Sequence, residues 1–268
     1  MKAVILAGGR GTRLAPYTAV LPKPLMPLCD RPILEIIICQ LRKSGFTDIT
    51  MAVGYLAHLL EAYFEDGSRF GVKITYSYEE SSLGTAGPLT LISDLNEPFL
   101  VMNGDVLTNL DYGALYAYHL ERGADATISL YPRTMEVSLG VIEINDACEV
   151  VSYREKPSYS YLASMGIYVL SPHVLSLMER GQQCDFPELV KRLLDRGYKV
   201  LGREFQGDWL DIGQPQEYAL AAEHFQDMID AETIGPGAYR PGRDGHEPVA
   251  VPGGSQSSPN GPTKLWKP

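Results

Sequence analysis

The hydrophobic pattern of the first hundred or so residues gives strand-like runs at 2–7, 48–55, 73–79 and 98–103. Runs of this length read as strands buried on both faces, the habit of a parallel sheet. Between them the apolar spacing becomes helical. In 32–43, Leu34, Ile37, Ile38 and Leu41 share one face, with Asp30 near the start and Gly45 just past the end. The segments 56–65, 87–95 and 111–122 are further helix candidates. Such alternation predicts an α/β chain: a mostly parallel central sheet covered by helices on both faces, in three layers.

The rhythm changes after Gly123. Four strand candidates follow with short connections, at 124–131, 139–144, 150–155 and 164–170, and read as an antiparallel addition at the sheet edge. Helical patterns return at 173–179, 186–196 and 214–230, around one more strand at 199–205. From Ile234 onward, 35 residues hold seven prolines and seven glycines with few apolar anchors. The expected organisation is one domain over 1–230 and a disordered tail over 231–268. Trp266, near the end of the tail, is its one tryptophan.

Composition narrows the partners. A chain of 268 residues with 45% hydrophobic content supports one full-sized domain. Its 23 basic and 33 acidic side chains give a net charge of −10. No basic face of the kind that binds nucleic acid is visible. An acidic protein that binds phosphates must concentrate its cations locally or recruit a divalent metal. Cys29, Cys39, Cys148 and Cys184 share no metal-ligand spacing, and Cys39 reads as a core thiol. Residues 3–7 are too short for a signal-peptide core, and no stretch approaches a membrane span. The expectation is a cytoplasmic protein with no membrane or nucleic-acid partner. Homo-oligomerisation stays open.

Directly after the first strand comes Gly8-Gly9-Arg10-Gly11-Thr12-Arg13-Leu14, then the proline-braced segment Pro22-Lys23-Pro24-Leu25-Met26-Pro27. Glycines at 8, 9 and 11 let backbone N–H groups approach an anion closely. Arg13 and Lys23 add charge for several phosphate oxygens. The pattern points to a polyphosphate ligand. A P-loop spacing is absent. The dinucleotide fingerprint fails at its third glycine, which falls on Leu14, and prolines at 16, 22, 24 and 27 prevent a helix from opening there. A dehydrogenase is disfavoured accordingly.

The full string Gly-Gly-x-Gly-Thr-Arg-Leu-x-Pro-x-Thr, followed by Pro-Lys-Pro-Leu-x-Pro, resembles the signature of the sugar-1-phosphate nucleotidyltransferases. The resemblance covers about residues 1–225 and implies a Rossmann-like fold with an antiparallel sugar-binding addition. It implies that Leu6, Ala7, Gly8, Gly9, Gly11 and Thr12 bind nucleotide, and that Arg13 and Lys23 are catalytic. Leu83-Gly84-Thr85-Ala86-Gly87 is similar to the guanylyltransferases that make GDP-mannose and related GDP-sugars. It adds Gly84, Thr85 and Gly87 to the nucleotide site and makes GTP the preferred donor.

Asp105 follows the strand run ending at Asn103, where an open α/β sheet binds ligands. A carboxylate there suits Mg²⁺ against phosphates, although Asn103-Gly104 is equally a turn signal. Asp211, in Trp209-Leu210-Asp211-Ile212-Gly213, precedes a helix with Pro215 at its first position. On residues alone it reads either as a ligand or as an aspartate bonding local backbone. The resemblance makes Asp105 and Asp211 joint ligands of a catalytic Mg²⁺. It assigns Asn103, Gly140, Glu155, Lys156 and Gly166 to the sugar phosphate. Glycine inside a strand marks a bulge or a close approach, which fits Gly140 and Gly166.

The implied reaction joins a nucleoside triphosphate and a sugar 1-phosphate, of mannose or heptose type, and releases pyrophosphate. UTP or dTTP with glucose 1-phosphate is the alternative pair of substrates. A non-catalytic nucleotide-sugar-binding subunit is the other reading. It predicts a lost metal or phosphate residue, whereas every motif position here is filled.

Overall fold

The computed structural model describes residues 1–28, 30–213 and 215–224. The expected tail over 231–268, with Trp266, lies outside the described residues. So do Cys29 and the last turns of the expected 214–230 helix.

In chain order the strands are β1 (Lys2–Leu6), β2 (Pro27–Leu28), β3 (Arg31–Pro32), β4 (Asp48–Val53), β5 (Lys73–Tyr78), β6 (Phe99–Asn103), β7 (Val106–Thr108), β8 (Ala126–Glu136), β9 (Val141–Ile144), β10 (Val150–Arg154), β11 (Ser158–Leu170), β12 (Val200–Glu204) and β13 (Trp209–Asp211). The α-helices are α1 (Ile33–Lys43), α2 (Ala57–Phe64), α3 (Tyr112–Arg122), α4 (Phe186–Asp195) and α5 (Pro215–His224). Seven strands form the main sheet in the order β12-β8-β11-β6-β1-β4-β5. The ladders β6-β1-β4-β5 and β8-β12 are parallel, and β11 runs antiparallel to both neighbours.

Side chains alternate between two cores. Ala3 and Ile5 point into one with α1, α2 and α3, while Val4 points into the other with α4. This is the expected three-layer α/β/α arrangement with a Rossmann-like sheet. Three local expectations differ. The antiparallel strand β11 lies inside the sheet, because its second half, Met165–Leu170, is buried on both faces, and parallel β12 is the edge. Segments 87–95 and 173–179 form only 3₁₀ turns, Gly87–Leu91 and Pro172–Leu177, each with proline in the first turn. Asp30 does not cap α1, since the short β2–β3 ribbon intervenes and Pro32 takes that position without a side-chain cap. Strands β8 and β11 outrun the main sheet, and β9 and β10 make a separate two-stranded ribbon. No helix among the described residues is long and apolar enough to cross a membrane.

Candidate active site

The sheet reverses its order at β1, with β4 and β5 on one side and β6 on the other. Leu6 is in register with Ala52 of β4 and Asn103 of β6. These three residues form the floor of a cleft of about 370 Å³ beyond the carboxyl ends of the strands. Open α/β sheets bind ligands at such a switch point.

The glycine-rich loop makes one wall. Leu6, Ala7, Gly8, Gly9, Gly11, Arg13 and Lys23 all line the cleft. Gly11 has φ +60°, and a Cβ there would meet Thr18 Cγ2 at 3.0 Å and Lys23 Cβ at 3.2 Å, so the turn requires glycine. Thr18 Oγ1 donates to the Gly11 carbonyl at 2.8 Å and closes the loop. Among the described residues, the amides of 8–13 donate to no protein acceptor. Backbone donors left free in this way suit an anion. Thr12 sits in the 3₁₀ turn Thr12–Leu14 and does not line the cleft.

Across from the loop, Lys23 Nζ donates to Asp105 Oδ2. The lysine is buried and its partner partly so. Asp105 Oδ1 is also buried, with no hydrogen-bond partner among the described residues. β7 and β13 then bring the second carboxylate beside Asp105, although Asp211 does not itself line the cleft. Val106 pairs with Asp211, and the Ile212 amide donates to the Asp105 carbonyl at 3.1 Å. Burial pushes the Asp211 carboxyl above its ordinary range, and the nearby Asp105 charge adds to the effect, while Lys23 and Arg13 oppose it. Two carboxylates in this state form a like-charge pair that a cation would relieve. Carboxylate oxygens are donors that Mg²⁺ accepts, with phosphates completing its shell. The residues therefore fit the metal.

The loop 83–87 forms the opposite wall, and Gly84 and Thr85 line the cleft. The loop is strapped to 184–186. Cys184 N donates to the Leu83 carbonyl, and Thr85 N donates to Asp185 Oδ1 at 2.8 Å. Gly87 does not line the cleft, and its α-carbon packs against the Gln182 carbonyl.

Of the residues expected at the sugar phosphate, Asn103 lines the cleft. Gly166, at φ +73°, sits at a register shift in β11, and a Cβ there would lie 2.6 Å from Asn103 Nδ2. Glycine at 166 therefore makes room for the Asn103 amide. Gly140, Glu155 and Lys156 gather elsewhere, around the β9–β10 ribbon. Gly140 precedes β9 and does not interrupt a strand, and its α-carbon packs on the Tyr153 hydroxyl. That hydroxyl donates to Glu155 Oε2 at 2.7 Å. Lys156 follows in the turn before β11.

Sequence reasoning missed Glu79. It follows β5 directly and lines the cleft. Its Oε2 accepts from the Leu83 amide at 3.0 Å, which aims the carboxylate between the two glycine-rich walls. Its Oε1 lies 2.3 Å from where a Gly8 Cβ would be. The rule that drew attention to Asp105, an acid at the carboxyl end of a parallel strand, applies equally to Glu79.

The chain matches the nucleotidyl transferase family over residues 2–228. It is 35% identical over 265 residues to a UTP–glucose-1-phosphate uridylyltransferase of Synechocystis, covering 89% of this chain and 68% of that one. It is 35% identical over 226 residues to a mannose-1-phosphate guanyltransferase beta-A of Xenopus laevis, covering 81% of this chain and 62% of that one. The chain thus spans about two thirds of the length of these relatives. In three dimensions it is similar to HddC from Yersinia pseudotuberculosis complexed with GMP-PN. The TM-score is 0.65 at 26% identity, covering 84% of this chain and 99% of that one. With a family match across most of its length, this chain belongs to the nucleotidyl transferase family.

Proposed function

We propose that the chain transfers GMP from GTP to a sugar 1-phosphate, of mannose or heptose type, with release of pyrophosphate. The observation that carries this reading is the cleft itself: free backbone donors and Arg13 line it together with the Lys23–Asp105 ion pair, and Asp211 adjoins Asp105 from behind that lining. Nothing here needs a nucleophilic side chain. The acceptor phosphate is ionised at neutral pH, so its oxygen attacks the α-phosphorus without a general base. One P–O bond forms as the bond to the leaving β-phosphate breaks. Catalysis is positioning and charge neutralisation. Arg13 stabilises charge on the departing phosphates, and Lys23 holds the α-phosphate. Asp105 and Asp211 would hold Mg²⁺, which supplies further neutralisation of phosphate charge when bound. Lys156 and Glu155, on the β10–β11 turn, would meet the acceptor phosphate and the sugar hydroxyls.

The preference for guanine rests on Glu79 together with the 84–87 loop. A carboxylate only accepts hydrogen bonds, and guanine offers adjacent N–H donors at N1 and N2. Uracil and thymine offer a single ring N–H flanked by carbonyls, which a carboxylate repels. UTP with glucose 1-phosphate is the second reading, favoured by the 35% identity to the uridylyltransferase relative. Crossing four nucleoside triphosphates with a panel of sugar 1-phosphates, read as pyrophosphate release, tests both. The highest kcat/KM with GTP supports the proposal. The highest with UTP or dTTP overturns its donor, and no turnover with any pair overturns the enzyme.

A further inference from the structure

We propose that Gly213 is a positioning residue for Arg13, the bare α-carbon against which the guanidinium is seated; the inference rests on the reading of Arg13 as a phosphate ligand. A Cβ built on Gly213 would lie 3.3 Å from Arg13 Nη1 and 3.6 Å from Arg13 Cζ. It would also lie 3.1 Å from Glu217 Oε2. Arg13 and Glu217 thus converge on the same face of one buried glycine.

The seat is fixed from three sides. The Gly213 amide donates to Glu217 Oε2 at 2.9 Å and to the Asp211 carbonyl at 2.7 Å. Ile212, fully buried, ties the segment to Asp105 through its own amide. On α5 the Tyr218 hydroxyl donates to the Pro27 carbonyl, which clasps the helix onto the proline-braced segment that carries Lys23. The Glu217 bond alone would serve the start of a helix. Its convergence with Arg13 is what a capping role does not require.

The position permits a clean test, because Gly213 does not have a positive φ. Its φ lies outside the left-handed region that favours glycine, so alanine's chief demand there is space. The backbone around it is pinned, and the guanidinium is the free end of a flexible side chain. The Glu217 carboxylate, the nearest atom at 3.1 Å, and the guanidinium at 3.3 Å must both give, and of the two only the guanidinium bears on the phosphates. Misplacing a charge-stabilising group by about 1 Å can cost about 100-fold in rate, so a smaller displacement costs less.

Gly213→Ala and Gly213→Val are made in the wild-type and Arg13→Ala backgrounds, and kcat and melting temperature are measured for each. The expected result is a graded loss in the wild-type background, about fivefold for alanine and more for valine. In the Arg13→Ala background the same substitutions change kcat by less than about twofold, and valine costs less melting temperature than it does beside arginine, because the conflicting side chain is gone. Should valine prevent folding, the alanine pair alone carries the comparison. Two results overturn the inference while leaving Arg13's role intact: Gly213→Ala at wild-type turnover when Arg13→Ala is crippled, or equal fractional losses in both backgrounds. Wild-type turnover from Arg13→Ala overturns the inference together with the reading of Arg13 on which it rests.

Discussion

The Ile212 amide donates to the Asp105 carbonyl at 3.1 Å. That one main-chain bond, continuing the β7–β13 ladder, brings together carboxylates 106 positions apart (211 − 105). Asp211 is paired with Val106 and Asp105 lies one position along, close enough that its charge acts on the Asp211 carboxyl. Lys23 offsets the charge of Asp105, and the buried charge of Asp211 costs stability until a further cation arrives.

Asp211→Asn is expected to stabilise the ligand-free protein while abolishing activity. Burial and Asp105 raise the Asp211 carboxyl, so the folded state holds this proton more tightly than the unfolded chain does. The contribution of Asp211 to stability therefore falls as pH rises through the unfolded value, and the full cost is present above the folded one. At pH 7 the amide removes that cost, raising the melting temperature by about 2–4 °C. Turnover should drop by about 100-fold or more. A lower melting temperature at pH 7 would contradict the electrostatic account.

Lys23→Met removes the cation that meets Asp105 and leaves a partly buried carboxylate unpaired. Loss of a buried partner costs about 3–5 kcal/mol. Asp105 retains some exposure, so roughly 2 kcal/mol is expected here. Added Mg²⁺ should recover more stability in the variant than it adds to the wild type, since ligand binding to the folded state stabilises it. Thermal melts across a Mg²⁺ titration measure this, and equal gains in both proteins would show that Lys23 and the metal do not share Asp105.

Glu79→Gln tests base selection. Hydrogen bonds to a charged group contribute about 1.5–3 kcal/mol, so kcat/KM for GTP should fall about 10- to 100-fold. The value for UTP should hold or rise, because the repulsive carboxylate is gone. A parallel fall with both nucleotides would assign Glu79 to the loop, through its bond to Leu83, and not to the base.

Acid stability should depend on His119, far from the cleft. The ring is buried, with Nδ1 at 3.0 Å from Thr127 Oγ1 and Nε2 at 3.1 Å from Ser171 Oγ. Burial holds its pKa below the ordinary value. The stability from the neutral ring is complete above the unfolded value of about 6.5 and is lost as pH falls below it toward the folded value. Denaturant midpoints between pH 5 and 8 should decline on the acid side. His119→Gln should be less stable at pH 7.5 but show a flatter acid limb, whereas an unchanged slope would exclude the histidine as its source.

How legible all this was in sequence follows from where each residue's partners lie. β1, β4 and β6 are buried on both faces and their apolar runs announce them, while the edge strand β5 alternates Ile74, Tyr76 and Tyr78 with polar residues. The phosphate loop is local, and its glycines, Arg13 and Lys23 stand within sixteen positions of one another (23 − 8 = 15 apart). β7 and β13 are three residues each and carry no pattern of their own. Their pairing is a long-range contact that only the folded chain reveals, and with it the seating of Arg13 on Gly213. The edge placement of the antiparallel strand failed for a related reason. The apolar run in Met165–Leu170 marks burial on both faces, but neighbours in a sheet are set by topology. Glu79 was within reach, since one acid after one strand is the same signal that marked Asp105. Gly140, Glu155 and Lys156 lie around the β9–β10 ribbon, and nothing local to them reports that they fall outside the cleft's lining.

The most direct test of the account is the initial rate of pyrophosphate release by the purified full chain, supplied with GTP and mannose 1-phosphate, with Mg²⁺ or with chelator. The account predicts release that requires both substrates and the metal, and that falls about 100-fold or more in Arg13→Ala and Asp105→Ala proteins of normal melting behaviour. Release at the wild-type rate from either folded variant, or equal rates with and without the sugar phosphate, would contradict it.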